Sequence, residues 1–139
     1  MLNRVMLIGR LGKDPEVRTL DNGTPVAKFT LATTEVYKDR EGNKQEQTEW
    51  HDIVCWRQLA TLSEQWLKKG MLIYVEGKLS HRKYQDKDNN TRYITEVVAD
   101  TFKRLERREG DALAKEHQTT TETSTTPVVE QTEGDDLPF

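Results

Sequence analysis

Apolar and polar positions alternate along most of the first hundred residues, and the breaks between alternating runs fall on turn-forming residues. Residues 3 to 11 form a first strand, closed by Lys13-Asp14-Pro15, because proline fixes its own φ and offers no N–H to a ladder. Asp21-Asn22-Gly23-Thr24-Pro25 makes a turn, after which Ala27, Phe29, Leu31 and Thr33 alternate with Lys28, Thr30, Ala32 and Thr34. Residues 37 to 46 read as a polar loop around Arg40-Glu41-Gly42-Asn43, with Tyr37 at its base. A third strand, 47 to 56, puts Trp50, Asp52, Val54 and Trp56 on one face and His51, Ile53 and Cys55 on the other. From Gln58 the period becomes helical, with Leu59, Leu62, Ser63 and Trp66 on one stripe and Lys68-Lys69-Gly70 as the stop, which assigns Trp66 to the core. A fourth strand over 71 to 79, a loop over 85 to 91 and a fifth strand over 93 to 105 complete the pattern.

The order β-β-β-α-β-β predicts an all-β fold with one short helix. Five strands with long second and fourth loops suit a five-stranded Greek-key barrel of the oligonucleotide/oligosaccharide-binding (OB) type, and periodicity alone also admits a sandwich. Beyond Arg108 the pattern stops. Six threonines stand between positions 119 and 126, a composition that cannot bury a core. The chain therefore divides into a folded domain over 1 to 105, a disordered linker over 106 to 133, and a tip over 134 to 139. No internal repeat or heptad seam is evident.

Composition changes the picture in one respect. The 139 residues carry a formal charge of −3, which by itself argues against a nucleic-acid partner. Yet residues 1 to 105 hold 18 Lys+Arg against 15 Asp+Glu, and the remainder holds three against nine. A basic body precedes an acidic tail. The longest apolar runs, Val5 to Ile8 and Met71 to Val75, are too short for a membrane span or a signal-peptide core, so a cytoplasmic protein with no membrane partner is expected. A single cysteine, Cys55, permits no intrachain disulfide and fits a reducing compartment.

Single-stranded nucleic acid exposes bases and phosphates, so a sequence-tolerant binder needs aromatic faces interleaved with cations. Tyr37, Tyr84, Trp50 and Trp56 stand where a ligand can reach them, and His81-Arg82-Lys83-Tyr84 mixes both residue types. Core packing and plain solvent exposure are the competing explanations for the tryptophans and the charged stretch. Catalytic chemistry finds no footing. Gly9-Arg10-Leu11-Gly12 lacks a phosphate-loop lysine, Asp86-Lys87-Asp88-Asn89-Asn90 lacks the glycine and closing glutamate of a calcium loop, and His51, His81 and His117 have no metal-ligand spacing. No enzyme activity, metal or cofactor is expected.

Several motifs together carry a family resemblance: Asn3-Arg4-Val5-Met6-Leu7-Ile8-Gly9-Arg10-Leu11-Gly12-Lys13-Asp14-Pro15-Glu16-Val17-Arg18, Leu31-Ala32-Thr33, Thr48-Glu49-Trp50-His51, Leu67-Lys68-Lys69-Gly70, Tyr74-Val75-Glu76-Gly77-Lys78-Leu79 and Asp135-Asp136-Leu137-Pro138-Phe139. In these the chain resembles the bacterial single-stranded DNA-binding proteins along its whole length. The resemblance implies an OB-fold homotetramer that binds single-stranded DNA without sequence preference in replication, recombination and repair, and recruits enzymes of those processes through its acidic tip. It implies stacking by Tyr37, Trp50, Trp56 and Tyr84, phosphate contacts by Arg4, Arg18, Lys69, Arg82 and Lys83, a subunit-interface role for His51, and partner binding by Asp135, Asp136, Leu137, Pro138 and Phe139. Asp52, Gln58 and Ser80 depart from the family's basic pattern, which points to weaker phosphate contacts. An OB-fold adaptor for RNA is the competing binder, and a nuclease the competing enzyme.

Overall fold

A computed structural model describes residues 1–107, so the linker from residue 108 onward and the tip lie outside the described residues. The elements are β1 (Val5–Leu11), β2 (Glu16–Thr19), β3 (Pro25–Lys38), β4 (Lys44–Trp56), α1 (Gln58–Trp66), β5 (Leu72–Gln85) and β6 (Thr91–Arg104). Five strands run β1-β5-β6-β4-β3 and close into a barrel where β3 returns to β1 through Arg10 opposite Ala32 and Leu11 opposite Leu31. Every pairing is antiparallel except β4 with β6, which run parallel at Ile53/Val97 and Val54/Val98. Closure removes most of the exposed strand edge that an open sheet of this size would present.

β2 is an element the sequence pattern did not predict. After the break at Lys13-Asp14-Pro15 the chain rejoins the β3 edge it has just left, pairing from Glu16/Lys28 to Thr19/Pro25. One edge of β3 is thus served by two short strands with a proline corner between them, and only Val17 of the four β2 residues is part-buried. So little burial gives almost no hydrophobic period to read.

Alternation builds the core. Phe29 faces Ile53 and Ala27 faces Cys55 across the β3–β4 ladder, and these join Leu11, Leu31, Ile73, Val75, Val97 and Ala99 in one buried cluster. Burial pushes the Cys55 thiol up to about 12, which leaves it protonated and inert at neutral pH. Two strand crossings are tight enough to require glycine: a Cβ on Gly9 would stand 2.3 Å from the Ala32 carbonyl oxygen, and one on Gly77 would stand 2.1 Å from that of Val98. Beside Gly77 the register shifts, with Asp100 left over between the Gly77/Ala99 and Glu76/Thr101 pairs, and this bulge adds the local twist that closing a sheet demands.

The loop expected over 85 to 91 is a tight turn at residues 86–90, and the one expected over 37 to 46 shrinks to a turn at residues 39–43 because Tyr37, Lys38 and Lys44 to Glu46 belong to strands. The ladders run on to Lys38/Lys44 and to Gln85/Thr91, so β3–β4 and β5–β6 are long hairpin arms that outrun the core. Nearly all residues of both arm ends are exposed, so both strand faces are solvated and the hydrophobic alternation that marks a strand is missing.

α1 packs on the barrel through Ala60 and Ser63, followed by Leu67 just beyond its end, all fully buried. Small residues on that stripe let the helix approach closely. Trp66 is consequently not a core residue: it is 55% exposed and lines a surface groove with Leu59, Leu62 and Phe102. The helix ends where the extended Leu67 donates its N–H to Ser63 O, and Lys68 to Met71 forms a separate turn with Gly70 at φ 84°. Among the described residues no helix is long and apolar enough to cross a membrane.

Candidate nucleic-acid interface

The outward face of β4 carries Trp50, Asp52, Val54 and Trp56, opposite Ala32, Thr30, Lys28 and Val26 of β3. Between the two tryptophans, about 20 Å apart along the strand, lies a cleft lined by Lys13, Lys28, Thr30, Asp52, Val54, Arg82, Ile94 and Glu96. The short β2 extends it: Arg18, Leu20 and Val26 line an adjoining depression that shares Glu16 and Lys28 with the first. Trp50 is 62% and Trp56 45% exposed. Exposure of two such large aromatics, neither of them part of the buried cluster, excludes the core explanation for both.

Trp50 owes its place to a glycine. A Cβ on Gly12 would meet the Trp50 ring at 2.5 Å and Thr30 Oγ1 at 2.7 Å, so the indole rests where only a hydrogen fits. The packing of Gly12 against a tryptophan distant in the chain leaves no local signal.

The cations of the cleft differ in how far they are already neutralised. Lys13 Nζ pairs with Glu16 Oε1 at 2.9 Å, which holds the Glu16 carboxyl below its usual range, and Arg82 Nε donates to Glu96 Oε1 at 3.0 Å. Among the described residues no carboxylate pairs with Lys28. Asp52 adds a negative charge to the cleft wall.

Of the other sequence-predicted residues, Tyr84 shares its strand face with Arg82 by alternation and so extends the cleft wall along the β5–β6 arm. Tyr37 does not join it: the ladder register puts Tyr37 on the face of Thr33 and His51, opposite to that of Trp50 and Trp56. Both tyrosines are exposed and both stand in strands, not loops. Arg4 lies on β1's side of the barrel, paired with Glu76. Lys69 is tied through its backbone N–H to Asp14 Oδ1 at 2.7 Å, beside Lys13 of the cleft. Lys83 stands on the opposite arm face from Arg82, with Nζ 5.5 Å from the centre of the Tyr93 ring. Tyr93, an exposed aromatic that the sequence reading passed over as strand filler, directly faces Lys83 across the ladder. His51 is half-buried, its Nε2 2.8 Å from Thr33 Oγ1. Asp135, Asp136, Leu137, Pro138 and Phe139 lie outside the described residues. Among the described residues no three His, Cys, Asp or Glu side chains converge as metal ligands.

A family model described as the single-strand binding protein family matches residues 2–105. The chain belongs to that family. It is similar to a single-stranded DNA-binding protein of Neisseria meningitidis serogroup A, 51% identical over 104 residues that make up 75% of this chain and 60% of the relative. Single-stranded DNA-binding protein 1 of Chlorobaculum tepidum is 50% identical over 105 residues, 75% of this chain and 65% of the relative. The chain thus spans less than two thirds of the length of these relatives. Among solved structures, the Plasmodium falciparum SSB in complex with ssDNA superposes with a TM-score of 0.71 at 35% identity, covering 76% of this chain and 97% of that one.

Proposed function

We propose that this single-strand binding family member binds single-stranded DNA without sequence preference, stacking bases on Trp50 and Trp56 and neutralising phosphates along the cleft between them. The observation that carries this reading is the pair of exposed tryptophans on one face of β4, flanking a cleft of mixed charge in which Lys28 has no carboxylate partner among the described residues. Stacking faces in a row beside Lys and Arg bind any base, because every base has a π-face. Titration with oligo(dT), with duplex DNA and with RNA of matched length tests it: oligo(dT) quenches the tryptophan fluorescence, its affinity falls with salt, and duplex binds far more weakly. Preference for RNA over oligo(dT) identifies an RNA adaptor instead.

The proposal extends to assembly and partners. A homotetramer is supported by β1, whose residues Val5 to Gly9 pair with β5 alone and whose outer face shows Met6 and Ile8 to solvent beside Tyr74. Substituting His51 by tyrosine weakens assembly and lowers apparent affinity at low protein concentration. In the cell the protein coats transient single strands of the cytoplasmic nucleoid during replication, recombination and repair, and acts without catalysing a reaction. The segment Asp135-Asp136-Leu137-Pro138-Phe139 recruits the enzymes of those processes, its carboxylates meeting basic charge and its apolar residues entering a pocket. Pull-downs from bacterial lysate with intact and Phe139-deleted protein test recruitment, and incubation of labelled DNA with magnesium tests for cleavage.

A further inference from the structure

The two hairpin arms end in the same device. In the first, Asp39 Oδ1 accepts the N–H groups of Glu41 at 3.0 Å and Asn43 at 2.8 Å, while Oδ2 accepts Gln45 Nε2 at 3.3 Å. In the second, Asp86 Oδ1 accepts those of Asp88 and Asn90, both at 3.0 Å, while Oδ2 accepts Arg92 Nε at 3.0 Å. The left-handed corner is Gly42 in one and Asn89 in the other. Tyr-x-Asp-x-(Glu/Asp)-(Gly/Asn)-Asn-x-(Gln/Arg) therefore occurs twice, from Tyr37 and from Tyr84, a repeat that the sequence reading missed.

What each aspartate holds is specific. Tyr37 directly faces Gln45 across its ladder, and Tyr84 directly faces Arg92. Side chains in such facing positions have Cβ atoms about 4.5 to 5.5 Å apart, close enough for one to lie over the other. The protein supplies its own contrast: Lys83 faces Tyr93, no aspartate draws it aside, and its Nζ sits over the Tyr93 ring.

We propose that Asp39 and Asp86 are positioning residues for DNA binding, drawing Gln45 and Arg92 toward the hairpin tips so that the rings of Tyr37 and Tyr84 stay clear for a base. This rests on the function proposed above and adds a contrast between the tyrosines: Tyr93 is the most exposed of the three overall, yet it alone has a cation, Lys83 Nζ, seated over its ring.

Asp86→Asn tests it in the full chain. Asparagine keeps the Oδ1 acceptor that holds the tip but presents an N–H to Arg92, releasing the guanidinium onto Tyr84. Affinity for oligo(dT) then falls about threefold, although one negative charge has been removed, and Asp86→Asn/Arg92→Ala regains most of that loss, although a cation has been removed. Simple charge accounting predicts the opposite sign at both steps. A rise in affinity with Asp86→Asn, or a further fall in the double variant, overturns the proposal. Tyr84→Ala is the control: binding as tight as the unaltered protein overturns this proposal alone, whereas failure of the unaltered protein to bind oligo(dT) overturns the underlying function.

Discussion

Arg82 donates from Nε to the Oε1 of Glu96 at 3.0 Å, and Glu96, only 8% exposed, is the most deeply buried carboxylate in the cleft wall. The guanidinium is oriented by a charge that also neutralises it. Replacing Glu96 with glutamine keeps an acceptor for Arg82 and removes the opposing charge. Binding of single-stranded DNA should then tighten at low salt, and the slope of log K against log salt should steepen by roughly 0.7, the value for one more neutralised phosphate on a single strand. An unchanged slope would show that Arg82 does not meet the backbone.

Barrel closure rests on backbone contact at Gly77 and Gly9, and the neighbours are carbonyl groups that cannot swing aside as side chains do. A methyl group at Gly77 must part β5 from β6 beside the Asp100 bulge. Gly77→Ala should lower unfolding stability by about 3 kcal/mol or more, at the upper end of overpacking costs. Urea unfolding at unchanged m-value measures it, and a loss under about 1 kcal/mol would mean the crossing relaxes.

The hairpin tips carry a pH signature. N–H donation from Asn43 foremost holds the Asp39 carboxyl below the usual range, and Arg92 foremost does the same for Asp86. A folded-state pKa below the unfolded value, near 3.9, means the tips gain their full support above that value and lose it as pH falls through the depressed one. Amide exchange at Asn43 and Asn90 should therefore stay protected through about pH 4 and rise at lower pH while core strands remain protected. Protection lost already near pH 5 would contradict these carboxylate bonds.

Much of the barrel was legible because its strands bury one face: Phe29, Leu31, Ile53 and Cys55 fall at strict alternation. The arms escaped detection for the converse reason, since Tyr37 to Glu46 and His81 to Gln85 bury neither face and strand pairing alone leaves no hydrophobic period. Trp50 and Trp56 were readable as one face of a strand. What that face meets was not, because Gly12, Lys28 and Glu96 reach the cleft through contacts between residues far apart in sequence. In the helix a period of 3.6 fits either of two adjacent stripes that share Ser63, and Ala60 was too small to outvote Trp66.

Trp66 gives the sharpest separation between packing and binding. Three tryptophans report on the protein, all exposed, but Trp50 and Trp56 flank the β4 cleft while Trp66 lies in the α1 groove with Leu59, Leu62 and Phe102. Stacking on a base quenches an indole only where the base arrives. Trp50→Ala and Trp56→Ala should each cost roughly 1 to 3 kcal/mol in oligo(dT) affinity, the usual loss per stacked base, and each should reduce the quenching amplitude. Their unfolding midpoints should shift little, because neither ring is part of the buried cluster. Trp66→Ala should leave affinity unchanged and raise the fraction of fluorescence that DNA quenches, since an unresponsive emitter has been removed. If Trp66→Ala instead weakens binding as much as Trp50→Ala, the strand's path crosses the helix and the cleft between Trp50 and Trp56 is not its main track.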